Sequence, residues 1–196
     1  MQALYDWIYH QNADGSGLSL KVAGLLLGLA LLVKHLIAWA QAEKAITFLR
    51  AFPRSRGWGV ILMVVCLVWG LFLAYYMDMG EFFTMRRWLL ILLPVTCYLV
   101  IAYVPEFLAV RALGTLLLLA ASPVLNAAFL QPQTSRLLLP ILAYVWIIAG
   151  MFFVGMPYLL RDAIGWVTQS TGRFKLAALA GAGYGALILV FALISW

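Results

Sequence analysis

Five polar side chains fall inside or at the edges of long apolar segments of the sequence, where a polar group is costly in hydrocarbon. They are Lys34, His35, Glu106, Arg111 and Asn126. Such residues mark ion pathways, proton relays and ligand sites in membrane proteins, so they are the first candidates for function.

The chemistry open to His35 is proton relay or haem ligation. Either role needs a partner at the same depth, and His10 is predicted on the opposite side of the membrane. Lys34 and His35 are adjacent, so they point about 100° apart around a helix, and only one can face the interior of a bundle. We interpret His35 as a packed or interfacial histidine, with ligand binding as the alternative.

Glu106 and Arg111 are five residues apart, a poor spacing for a pair on one helix face. Glu106 is close to a predicted helix N-terminus, which favours a capping and anchoring role. The alternative is an anionic-ligand pocket in which Arg111 acts with Arg54, Arg161 and Arg173. The planar fork of arginine is suited to phosphate.

Asn126 is the amide nearest to the prolines that fall within or near the starts of three apolar segments, Pro94, Pro123 and Pro140. A proline inside a helix frees a carbonyl one turn earlier, and broken helices form many transporter sites. Such sites pair the break with charged or amide groups at mid-membrane depth. This pattern supports a carrier or channel as a second hypothesis.

Cys66 and Cys97, the two cysteines, are predicted at similar depth, but no further metal ligands are close to them in the sequence. We interpret them as buried, inert thiols. The sequence also has no phosphate-binding glycine loop, no nucleophile elbow and no Cys-x-x-Cys. We therefore expect no metal, no cofactor and no catalytic residue.

The elements that must position these residues are membrane helices. The chain of 196 residues is 66% hydrophobic and only 10% charged, with a mean hydropathy of +1.02. A soluble domain has roughly 25% charged residues. We predict one all-α, polytopic transmembrane bundle over 1–196, opening with a short interfacial segment at 1–17. The six predicted spans are 20–40, 58–77, 88–104, 108–129, 137–160 and 174–196.

The distribution of Lys and Arg predicts the orientation. One side has nine of the 13: Lys34, Lys44, Arg50, Arg54, Arg56, Arg111, Arg161, Arg173 and Lys175. The other side has four: Lys21, Arg86, Arg87 and Arg136. We expect an inner (cytoplasmic) membrane protein with the first set in the cytoplasm and both termini outside. The net charge of +6 then reflects loop topology and anionic lipid rather than nucleic acid.

Two connections on the basic side combine apolar and charged residues, at 41–56 and 161–172, and are predicted as interfacial amphipathic segments. Three helical hairpins, each connected on this side, are consistent with a degenerate repeat. Gly24-x-x-x-Gly28 and Gly181-x-x-x-Gly185 predict faces where helix backbones approach closely, either within the chain or against a partner.

The favoured function is a non-catalytic membrane subunit or scaffold that packs against lipids and other integral membrane proteins. Its support is the scarcity of intramembrane ionisable groups, the short loops and the two glycine faces. A small carrier or channel for a solute or lipid is the alternative, and a lipid-modifying enzyme comes third.

Overall fold

A computed structural model describes residues 1–10 and 17–196. Within them the chain forms nine α-helices and no β-strand, which confirms the predicted all-α class. The helices are α1 (Gln2–Tyr9), α2 (Leu20–Ala40), α3 (Ala42–Ala51), α4 (Arg56–Tyr76), α5 (Arg86–Tyr103), α6 (Leu108–Ala128), α7 (Leu138–Gly155), α8 (Tyr158–Val167) and α9 (Thr171–Ile194). Short 3₁₀ helices at Phe52–Arg54, Gly80–Met85 and Thr134–Leu137 precede α4, α5 and α7.

Six of these helices, α2, α4, α5, α6, α7 and α9, are long and apolar enough to cross a membrane. The chain is therefore a multi-pass membrane protein. One predicted boundary was wrong: span five does not continue to residue 160 but ends at Gly155, and α8 starts a new helix. Pro157 causes the break because it has no amide hydrogen and its ring clashes with a carbonyl one turn earlier.

The three short helices lie at the ends of the bundle. α3 and α8, the link 104–107 and the ends of the membrane helices that adjoin them form what we call the basic end, which carries nine of the 13 Lys and Arg residues. α1 and the end of α9 form the terminal end. Ser19, Ser55 and Ser170 cap α2, α4 and α9 by accepting a backbone N–H, which explains where these helices begin. Of the predicted turn at 12–17, residues 12–16 lie outside the described part of the chain.

The spans pack in pairs that differ from the predicted hairpins. α2 packs along α9, α6 along α7, and α4 along both α5 and α6. The hairpins α2–α4, α5–α6 and α7–α9 describe connectivity rather than packing. In two of them an interfacial helix of 10 residues, α3 or α8, stands between the spans. At ~1.5 Å per residue it separates them by about 15 Å.

Glycines allow the closest helix contacts. Gly28 and Gly185 face each other across α2 and α9, and a Cβ on Gly28 would lie 3.0 Å from the Gly185 carbonyl oxygen. Gly114 and Gly150 do the same for α6 and α7, where a Cβ on either would lie 2.8 Å from the other's carbonyl oxygen. In both pairs a single methyl group would force the backbones apart.

The main cluster of buried residues lies toward the terminal end, where α2, α6, α7 and α9 meet around small and aliphatic side chains such as Ala127, Leu139 and Ile188. The three prolines predicted within or near the starts of spans, Pro94, Pro123 and Pro140, do not break the helices. Pro94 and Pro123 lie inside continuous helices. Pro140 is in the first turn of α7, where its missing N–H would have had no helical partner.

Candidate functional site

His35 lies between two cavities of about 400 Å³ each. One is bounded by α2, α3 and α9 and the other by α2, α7 and α9, and Lys34 lines both. The Nδ1 of His35 is 2.7 Å from the Leu31 carbonyl oxygen. Because a carbonyl can only accept, Nδ1 carries the hydrogen. The imidazole packs on Gly181, whose missing side chain leaves the room for it.

The partner that a relay or haem role would need is not brought to His35. His10 lies at the terminal end, where its ring is 5.4 Å from that of Tyr5 and its Nδ1 is 3.5 Å from Asp6. Among the described residues, no group of three His, Cys, Asp or Glu could hold a metal ion. The arrangement is that of a histidine packed between helices.

Arg111 lies at the mouth of a third cavity, of about 330 Å³, between α4, α5, α6 and α7. Its Nη1 donates to the Val154 carbonyl oxygen at 2.7 Å, which satisfies a carbonyl in the last turn of α7. Its Nε is buried with no hydrogen-bond partner among the described residues. Cys66 and Cys97 both line this cavity, and the Cys66 thiol donates to the Ala112 carbonyl at 3.4 Å.

The four arginines predicted as an anion pocket do not all meet. The guanidinium of Arg161 lies 5.9 Å from the ring centre of Phe107, the residue whose carbonyl accepts from the Arg111 amide, and also pairs with Asp162 at 2.7 Å. Arg173 instead contacts Gln169 and Trp166 on the α8–α9 side. Arg54 is exposed after α3.

The capping role predicted for Glu106 was wrong. The N-cap of α6 is Phe107, in the left-handed conformation with φ 53°, and no side chain caps the helix. Glu106 lies one residue before the cap, exposed in the link, because the turn after Pro105 places the helix start later than the carboxylate.

Asn126 is used to hold α1. Its Nδ2 donates to the Tyr9 carbonyl, and the Tyr9 hydroxyl accepts from Trp69 Nε1 at 2.6 Å. Tyr5 and Tyr9 are buried, with their rings stacked 5.2 Å apart. Burial raises the pKa of Tyr9, although the hydrogen bond from Trp69 lowers it in part. The side chain that suggested a transport path is thus a structural tether.

Arg50 is a residue that sequence reasoning did not single out. Its Nε and Nη2 donate to the Thr168 hydroxyl and carbonyl oxygens at 3.0 and 2.6 Å, and Thr168 is only 3% exposed. This contact joins α3 to the end of α8 across 118 residues of sequence. No local signal could have revealed it.

The exposed face of α5 is the other candidate site. Of the six membrane helices, α5 is the least buried, and it packs chiefly along α4. Tyr98 is 69% exposed and has no hydrogen-bond partner among the described residues. An unpartnered hydroxyl at membrane depth is unfavourable in lipid.

No known family model matches the sequence, and neither a curated protein nor a solved structure is significantly similar to it. The fold defines the class of this protein, a multi-pass α-helical membrane protein. A function has to be inferred from this class and from the sites described above.

Proposed function

We propose that this protein is a non-catalytic subunit of a membrane complex, in which α5 packs against a transmembrane helix of a different protein. The observation that carries the proposal is the exposed Tyr98 hydroxyl. A partner helix with a carbonyl or side-chain acceptor at that depth would satisfy it.

Exposed tyrosines on the membrane helices also include Tyr75 and Tyr103, in the last turns of α4 and α5, and Tyr144 of α7. Depth distinguishes Tyr98 from them, since Tyr75 and Tyr103 lie at helix ends. Side chains lean toward the N-terminus of their helix. Tyr98 is five residues before the end of α5, about 7.5 Å, and leans away from that end toward mid-membrane. Tyr144 is six residues after the start of α7, about 9 Å, and leans toward that nearer interface. Tyr144 can reach headgroups, whereas Tyr98 leans into hydrocarbon.

The residues around Tyr98 have the spacing of a helix-packing seam. Positions separated by three and four residues share one face, and on α5 this face is exposed throughout. Its members are Trp88, Ile91, Val95, Tyr98 and Ala102. Apolar residues at this spacing interlock with a facing helix, as in coiled coils. We call this face the outer seam of α5.

The alternatives have less support. The carrier hypothesis depended on the span prolines, Asn126 and the basic end. Pro94 and Pro123 lie inside continuous helices, and the Asn126 amide donates to the Tyr9 carbonyl. The enzyme hypothesis depended on Glu106, His35 and the arginines. Glu106 is exposed in a link, whereas His35 is packed on Gly181 on a different element.

The membrane and orientation belong to the same proposal. The basic end carries nine of the 13 Lys and Arg residues, which supports an inner membrane location with this end in the cytoplasm and both termini outside. Cysteines placed at Ser135 and Ser170, in a background with Cys66→Ala and Cys97→Ala, test the orientation. An impermeant thiol reagent applied to intact cells should label position 135 and not 170, and the reverse labelling would contradict it.

Site-specific photocrosslinking tests the partner helix. A photoreactive amino acid at Val95 should give a discrete adduct with one other membrane protein in native membranes. The matched control is Val145 on α7, a valine of similar exposure, 56% against 48% at Val95. Equal adducts from both positions, an adduct of two copies of this chain, or none at Val95 would contradict the proposal.

Tyr98→Phe should lower the adduct yield about threefold, since hydrogen bonds between membrane helices average ~0.6 kcal/mol. Tyr144→Phe should leave the yield unchanged. Mass spectrometry of the adduct identifies the partner.

A further inference from the structure

We infer that the cavity at Arg111 holds one acyl chain of an anionic phospholipid, with the phosphate of that lipid on the Arg111 guanidinium. This inference does not depend on the partner proposed above, because the cavity and the outer seam are on opposite faces of α5.

The cavity has the dimensions of a single acyl chain. Its wall on α5 runs from Leu93 to Val104. Eleven residues at ~1.5 Å per residue give about 16 Å, close to the depth of one leaflet, which is half of a hydrocarbon core of about 30 Å. Its volume of about 330 Å³ is at the lower end of the range for ligand pockets.

The lining is mostly apolar, with the hydroxyls of Thr96 and Thr115 as its uncharged polar groups. Met63, Leu67, Leu93 and Val100 supply side chains that suit a hydrocarbon chain. Arg111 is the only lining residue with a formal charge among the described residues, and none of them is acidic. A chain with a negative headgroup therefore matches both parts of the cavity.

The groups at the mouth of the cavity favour binding of a phosphate. Arg111 is four residues into α6 and leans toward the helix N-terminus, which is at the basic end. Its Nη1 is used by Val154, but its buried Nε is unpartnered. The Arg161 guanidinium, 5.9 Å from the ring centre of Phe107, is already paired with Asp162. The Arg111 guanidinium and the N-terminus of α6 together favour an anion at headgroup depth.

The packing gives the lipid a route into the cavity. α5 packs along α4 and not along α6, although the two are joined by the short link 104–107. Because α5 and α6 both line the cavity without packing along each other, one chain of a diacyl lipid would enter between them while the other stays in the leaflet.

Photolabelling in lipid nanodiscs tests the inference. The discs consist of phosphatidylcholine and carry a trace of phosphatidylglycerol with a diazirine in one acyl chain. A phosphatidylcholine probe with the same diazirine chain provides the comparison. We call the two lipids the glycerol probe and the choline probe after their headgroups. The glycerol probe should label Thr96, Val100 and Thr115 about tenfold more than the choline probe. Both headgroups carry the phosphate, but only choline adds a trimethylammonium cation, which the Arg111 guanidinium repels.

Arg111→Gln should reduce labelling by the glycerol probe to the level of the choline probe. Arg173→Gln, which removes a basic-end arginine outside the cavity lining, should leave it unchanged. Equal labelling by both probes, or a loss with Arg173→Gln equal to that with Arg111→Gln, would overturn the inference. A diazirine fatty acid that labels the cavity when the glycerol probe does not would overturn the assignment to phospholipid.

Since Arg111→Gln also removes the bond to Val154, a second variant leaves the arginine intact. Val100→Phe fills the cavity and should abolish labelling of Thr96 and Thr115. Leu99→Phe, on the neighbouring exposed position of α5, should not. Retained labelling in Val100→Phe would also refute the inference.

Discussion

The imidazole of His35 occupies the space that a side chain at position 181 would need. The ring of His35 on α2 therefore packs directly on Gly181 of α9. A few residues away, Gly28 and Gly185 bring the same two helices into backbone contact. The first and last membrane helices thereby close the bundle, and each close contact can be tested by adding one methyl group.

Gly181→Ala should destabilise the protein by about 1–3 kcal/mol, because the new methyl group overlaps His35 in a packed contact. The free energy of unfolding in mixed micelles, followed by circular dichroism during titration with SDS, measures the effect. Gly183→Ala is the matched control. A Cβ there meets no atom within 4 Å, so this variant should be neutral or slightly more stable.

The double variant His35→Ala with Gly181→Ala should recover part of the loss, with a coupling of about 0.5–3 kcal/mol between the sites. Additive effects of the two substitutions would show that the ring and the glycine do not share this space.

Gly114→Ala should separate α6 from α7, because its Cβ would lie 2.8 Å from the carbonyl oxygen of Gly150, which cannot move without its helix. The expected loss is about 1–3 kcal/mol, despite a gain of about 1 kcal/mol in helix propensity. The temperature at which each variant aggregates in detergent ranks the stabilities of the variants. Gly70→Ala, whose Cβ would lie 3.9 Å from Leu93, serves as the control, and a loss of stability there as large as at Gly114 would contradict the packing argument.

Arg50→Ala should release the end of α8 from α3, since Thr168 loses the two hydrogen bonds that it accepts from the Arg50 guanidinium. Hydrogen exchange across 164–168 should rise by about tenfold or more, equivalent to ~1.5–3 kcal/mol for bonds from a charged group. Arg50→Lys should recover only part of the protection, because an ammonium cannot reproduce the planar two-point contact. Unchanged exchange in Arg50→Ala would mean that α8 is held by its apolar face alone.

Asn126→Leu should loosen α1 while leaving the six membrane helices in place, since the lost bond goes from Asn126 to the Tyr9 carbonyl. Exchange of the amides of α1 should rise about three- to tenfold, as expected for a bond contributing ~0.5–1.5 kcal/mol. Ser122→Ala, one turn earlier on α6, is the control and should not affect α1. If Asn126→Leu leaves α1 as protected as Ser122→Ala does, the tether is not what holds this helix.

Much of the architecture could be predicted because crossing a bilayer imposes a local requirement. Each span must be apolar over about 20 residues and must satisfy its own backbone, so composition alone locates the helices. The segment at 41–56, whose mixture of apolar and charged residues is also a local pattern, forms α3 and the following 3₁₀ helix. The error at the end of span five arose where apolar composition continued past Pro157 into a helix of a different kind.

The candidate sites were less predictable, because lipid and a neighbouring helix demand the same apolar residues. The sequence could identify Arg111, His35 and Asn126 as unusual, but not that they contact Val154, Gly181 and Tyr9. The pair Gly114 and Gly150 was missed since neither belongs to a glycine pair spaced by four. A seven-residue spacing of small residues, Gly114, Ala121 and Ala128, was the available signal.

The sequence by itself thus determined that this is a six-span membrane protein with a basic end and close-packed glycines, since these depend on local hydrophobicity, charge and side-chain size. Only the tertiary structure decided which helices meet, that His35 packs on Gly181, and that α5 leaves an exposed hydroxyl on one face and a cavity with an arginine on the other. Those outcomes depend on contacts between residues far apart in the chain. Which side chains meet is decided by the shapes of the two helix surfaces that face each other.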